Sequence, residues 1–287
     1  MPETKALGKS IRLLWTATAF AGFFGVAAVF WPSFEVLNQP FKLAAYVVAL
    51  LYWLKISSDH PKGSTMRTAW LLLAWSSAIS IVRHAFEWMI YFTNWPPSIS
   101  SFKQIPTVLA LVLLTAGLFA IWFGFAAIGL GIRFRTSDLV WVAATAILAF
   151  LPYLFSWGGH SAYALIRPLQ SLSPMLLAIP ALIALLLHRI EQEMAGGQLA
   201  TSLRLIVAFL VLRLVALIMI SPGLAHFTAA GVIAGATGWI SIWLFTLAAV
   251  YRWRLTLSVR ELTRRYQDDP ETELAGLSQM LLPGTRT

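Results

Sequence analysis

Eight stretches of this chain are apolar for long enough to cross a lipid bilayer: about 11–31, 41–56, 67–93, 106–131, 138–157, 171–188, 203–220 and 227–252. A hydrocarbon core about 30 Å thick needs roughly 20 apolar residues in helix. Within it each backbone N–H and C=O has to be satisfied inside the segment, which makes helices the structure for runs of this length. Composition points the same way: 59% of the 287 residues are hydrophobic and 11% charged, where soluble domains hold about 25% charged residues. The expected fold is all-α, a polytopic transmembrane bundle of about eight spans over residues 1–254, followed by a cytoplasmic amphipathic tail over 255–287.

The loop charges orient this bundle. With the N-terminus inside, the cytoplasmic segments hold Lys5, Lys9, Arg12, Lys55, Lys62, Arg67, Arg133, Arg135, Arg189, Arg204, Arg252, Arg254, Arg260, Arg264, Arg265 and Arg286. The outer segments hold only Lys42, Lys103 and Arg167. Sixteen basic residues against three is a decisive positive-inside bias, and a seven-span count would destroy it. Both termini are therefore expected in the cytoplasm, in a multi-pass protein of a bacterial inner membrane. The first span follows Lys5, Lys9 and Arg12 as a signal peptide would. It is long, however, and no small-x-small site closes it before Trp31-Pro32, so it is expected to stay as a span. The net charge of +9 sits at the ends of the apolar runs, where it suits anionic headgroups. Membrane lipids, and not nucleic acid, are the partners it implies.

The outer loops carry Trp31-Pro32, Trp95-Pro96-Pro97 and Trp157-Gly158-Gly159, so most of the 13 tryptophans read as interfacial anchors. Pro152, Pro174 and Pro180 lie in or near spans five and six, where each kinks or ends its helix. Residues 117–122 (GLFAIW) echo residues 238–243 (GWISIW), each followed by an Arg-x-Arg exit. Such an echo would imply two four-helix halves, 1–135 and 136–254, a layout known in transporters. In the tail, Leu255, Val259, Leu262 and Tyr266 form an apolar stripe on a basic helix that either continues the last span or lies on the headgroups. Asp269-Pro270-Glu271 then reads as a second helix start. Residues 255–283 would offer a docking segment to a cytoplasmic partner protein, or form a plain surface helix.

Span three is the most informative. Ser76, Ser80, Arg83, Glu87 and Tyr91 recur along one helical face, with His84 beside Arg83. Charges inside a span cost several kcal/mol unless paired or wet, so this face is expected toward the bundle interior. Arg83 and Glu87, four apart, can pair along their own helix. Span seven adds Arg213 near mid-membrane, and Glu87 is the one carboxylate well within the spans. Spans three and seven are therefore expected to pack together, with Arg213 near the Arg83/Glu87 pair. Two arginines around one glutamate leave spare donors for a carboxylate, a phosphate or a lipid headgroup. Alternatively, the group is a polar network that only fixes helix packing.

Much chemistry is excluded. The chain has no cysteine, no His-Glu-x-x-His, no Gly-x-Ser-x-Gly, no Walker loop and no mid-span lysine for retinal. A bis-histidine haem would need His84 to face His160 or His226, and no cofactor is expected. What remains is a non-enzymatic membrane binding protein (a sensor, accessory or assembly subunit) with a polar site for a small anionic or lipidic ligand. The alternatives are a transporter of a small anion or lipid, and a membrane enzyme using Glu87 and His84 as acid and base.

Overall fold

A computed structural model describes residues 2–31, 33–93, 104–127, 198–220 and 227–268, with further helical positions scattered between 136 and 190. Among the described residues the long elements are all helices: α1 (Pro2–Phe30), α2 (Ser33–Ser58), α3 (Thr65–Phe92), α4 (Gln104–Ala127), α5 (Gln198–Met219) and α6 (Thr228–Asp268). Each of these six is long and apolar enough to cross a membrane. The chain is a multi-pass helical membrane protein. Spans five and six of the sequence reading fall largely outside the described residues, as do Pro152, Pro174 and the acidic helix start at 269–271.

Helix α1 begins at Pro2, ahead of the apolar run at 11–31, and two further limits differ from expectation. The second span, expected over 41–56, belongs to a helix of 26 residues that begins at Ser33 and carries Pro40 inside it. The stretch Asn38-Gln39-Pro40 lowers the apolar signal there and hid the helix start. The last helix runs unbroken through the boundary at 254 to Asp268, so its basic, amphipathic end extends the span as one rod of 41 residues.

Helix α6 is the hub. It packs against α1, α2 and α5, while α3 lies between α2 and α4. In its spanning window 67% of the residues are buried, against 28% for α1. The α1–α6 crossing is close enough to bring backbones together: a β-carbon on Gly25 would lie 2.3 Å from the carbonyl oxygen of Gly235. Small residues permit this approach, and in lipid such packing, with interhelical hydrogen bonds, is what holds helices together. Three hydroxyls add those bonds: Ser76 to the Ala110 carbonyl (2.8 Å), Ser202 to Ala248 (2.9 Å) and Thr246 to Ala45 (2.9 Å). Aromatic rings fill the middle. Trp53 and Trp70 stack with centroids 5.4 Å apart, and Phe245 contacts both Trp53 and Phe209. Phe20, Phe23, Trp75 and Phe123 point outward, as lipid-facing side chains should.

The connection from α2 to α3 fixes one end of the bundle. Gly63 takes a positive φ of 82°, a conformation glycine adopts without strain. Ser64 then caps α3 by accepting from the Arg67 N–H at 3.2 Å. Asp59 in this turn pairs with Arg260 of α6. The turn and the basic end of α6 thus share one end of the molecule, and the Arg83/Glu87 level of α3 lies toward the other.

Candidate ligand-binding cavity

Helical spacing puts Arg83, His84 and Glu87 within reach of one another on α3. Arg83 donates to Glu87 Oε1 through Nη2 (3.0 Å) and Nε (3.3 Å). His84 Nδ1 lies 3.0 Å from Glu87 Oε2 and 3.1 Å from Gln39 Oε1 on α2. Both neighbours of Nδ1 are acceptors, so that nitrogen carries the proton and donates to them. The imidazole also stacks on Tyr46 of α2, with centroids 5.4 Å apart. Both oxygens of Glu87 are thereby engaged by its own helix. Arg213 takes no part in these bonds.

Arg213 nevertheless comes to this place. A cavity of about 600 Å³ is lined by Gln39 and Lys42 of α2, Arg83, His84 and Glu87 of α3, Arg213 of α5, and Gly235, Gly238 and Trp239 of α6, among others. The expected direct packing of the two arginine-bearing helices does not occur: α3 and α5 have no extended contact, because α2 and α6 stand between them. They face each other across the cavity instead. Among the described residues Arg213 makes no hydrogen bond or ion pair. Its guanidinium is accommodated where α6 has no side chain at Gly238.

The remaining residues of the span-three face divide. Ser76 and Ser80 are buried away from the cavity; Ser76 bonds α4, and Ser80 donates back to the Ser76 carbonyl at 2.8 Å. Ser76 fastens α3 to α4, while Ser80 bonds within its own helix. The side chain of Tyr91 lies outside the described residues, and so do His160 and His226.

Lys42, Gln39 and Trp239 were missed by the sequence reading. Lys42 counted as an outer-loop charge, but it sits within α2, with Nζ 4.1 Å from the centroid of the Trp239 ring. The signal for it was Gln39 and Lys42 three apart at a helix start, the spacing that puts two polar groups on one face.

Three basic side chains, Lys42, Arg83 and Arg213, thus line a cavity whose lining holds one carboxylate, Glu87, and which is walled elsewhere by apolar side chains such as Ala216, Leu217 and Ile242. In such low-dielectric surroundings, a surplus of positive charge favours an anion strongly. Among the described residues no group of three His, Asp or Glu side chains is placed to hold a metal ion. The chain matches no protein-family model, no curated protein and no solved structure. The fold and the cavity define a class, an integral membrane helical bundle with a charged internal cavity, and its chemistry is read from that geometry.

Proposed function

We propose that this is a non-enzymatic membrane binding protein, a sensor, accessory or assembly subunit, holding a small carboxylate or a comparable anionic or lipidic ligand between Arg213, Lys42 and Arg83. The observation that carries this reading is Arg213: a guanidinium on the wall of a cavity whose one carboxylate is already engaged by Arg83 and His84. Arginine presents a planar fork of donors that a carboxylate meets with two parallel bonds. With about eight spans and both termini inside, the basic end faces the cytoplasm and the cavity lies in the outer half of the bilayer. The basic continuation of α6, with the residues after it, would then meet a cytoplasmic partner.

Two features favour binding over the alternatives. A transporter needs a polar path, whereas the level below the cavity is filled by Trp53, Phe209 and Phe245. An acid/base enzyme needs His84 to exchange a proton with its substrate, but Nδ1 of that ring is held by Glu87 and Gln39. The test is thermal unfolding of the detergent-solubilised chain with acetate, succinate or decanoate, alongside native mass spectrometry for co-purifying molecules. A ligand at about 100 times its Kd stabilises by about 2.7 kcal/mol, so a clear rise in Tm is expected for wild type and none for Arg213→Gln. If no probe shifts wild type and no bound molecule is lost in the variant, the cavity is packing only.

A further inference from the structure

The other end of the bundle holds a second cavity that the function above does not use. Its volume is about 390 Å³, and Asp59, His60, Arg252, Arg260, Thr263 and Arg264 are among its lining residues. The α6 residues recur at helical spacing, so one face of that helix supplies three arginines. Arg252 is held in place: its guanidinium lies 5.0 Å from the centroid of the Trp70 ring. Yet Nε of Arg252 is buried without a hydrogen-bond partner among the described residues. Across the cavity, Asp59 pairs with Arg260 through one oxygen, while Oδ2 is buried and unpartnered. The hydroxyl of Thr263 has spent its proton on the Val259 carbonyl at 3.0 Å.

The residues lining this cavity therefore include a buried donor and a buried acceptor, neither satisfied among the described residues. Buried polar groups are nearly always hydrogen-bonded, so an unsatisfied pair marks a missing partner. That partner has to present anionic oxygen to Arg252 and Arg264, because three arginines face a single carboxylate. It must also present an O–H or N–H to Asp59. We infer that the cavity binds a phosphate group carrying a hydrogen-bond donor. A phosphoglycerol or phosphoethanolamine lipid headgroup meets this description, and so does free phosphate through its own hydroxyl. Phosphocholine does not, since its quaternary ammonium has no N–H. The position at one end of the spanning helices, with exposed Val259 on the rim, is where a headgroup lies.

The test is native mass spectrometry of the full chain exchanged against equimolar phosphatidylglycerol, phosphatidylethanolamine and phosphatidylcholine of identical acyl chains. Wild type is expected to retain the first two over phosphatidylcholine by on the order of tenfold, the scale of one charge-assisted hydrogen bond. Arg252→Gln and Arg264→Gln should each erase that preference, while Ser76→Ala, away from both cavities, leaves it intact. Because Arg252 also holds Trp70, the exposed Arg264 provides the variant that leaves core packing alone. Millimolar inorganic phosphate separates the sources. Competition that is lost in Arg264→Gln assigns the site to free phosphate; no competition, with the lipid preference present, assigns it to the headgroup. Lipid and phosphate binding unchanged in both arginine variants would overturn the site and leave a water between Arg252 and Asp59.

Discussion

The guanidinium of Arg213 rests over Gly238, with Nη1 4.0 Å from the point a β-carbon on that glycine would occupy. The same β-carbon would lie 3.5 Å from the methyl of Ala216, an ordinary contact. Gly238→Ala is therefore expected to fold and to bind a carboxylate much as wild type does. Gly238→Leu puts a branched side chain where the guanidinium lies. It should abolish the carboxylate-induced rise in Tm while shifting the ligand-free Tm far less than a core cavity mutation would. Paired melts with and without the probe check this.

Removing the carboxylate has the opposite sign on binding. Glu87 is the acidic group among the cavity residues and accepts from both Arg83 and His84. Glu87→Gln keeps the shape but loses the charge, and should cost about 1–3 kcal/mol of stability, the usual penalty for a weakened buried hydrogen bond to a charged group. It also removes the negative charge beside Arg83 and Arg213, so anion affinity should rise on the order of tenfold. Titration calorimetry of wild type and variant measures both the sign and the size. Equal affinities would show that the three cations do not act on the ligand.

The α1–α6 crossing predicts a sharp contrast between neighbouring glycines. A β-carbon at Gly25 would overlap the Gly235 carbonyl, whereas one at Gly231 would meet only a methyl of Val29 at 3.5 Å. Gly25→Ala should destabilise by about 1–3 kcal/mol through overpacking, and Gly231→Ala should be near neutral. Thermal or chemical unfolding in micelles tests the pair side by side.

Ser76 ties α3 to α4 away from the cavity. Ser76→Ala is expected to cost about 0.6 kcal/mol, the average for an interhelical hydrogen bond in a membrane protein, with no change in carboxylate affinity. A loss of affinity in this variant would mean that the polar face of α3 acts as a unit.

The apolar runs announced six spans that the structure describes, because burying backbone in lipid imposes a length that shows directly in sequence. The Arg83/Glu87 pair was equally legible, since four residues on a helix is a fixed geometry. The place of Arg213 was half legible: its need for polar surroundings follows from charge alone. That α2 and α6 separate its helix from α3 depends on how α6 packs, with Gly238 facing Ala216 and Arg213 of α5. Lys42 was hidden for a related reason. Whether a lysine near the end of an apolar run belongs to a loop or to a helix depends on where Ser33 starts the helix, and the polar residues between them blur that start.

Trp15 of α1 donates to the Tyr251 hydroxyl of α6 across a sequence separation of 236 residues. The helix that α1 leans on, and that α2 and α5 also pack against, is thus the last of the six to leave the ribosome. Until it inserts, α1 and α5 stand in the bilayer without their principal neighbour, held by no other large helix contact among the described elements. α2, α3 and α4 can pack in order of synthesis, but α1 and α5 wait on α6. A chain interrupted before Thr228 would leave those two helices without their principal partner, for quality control to find.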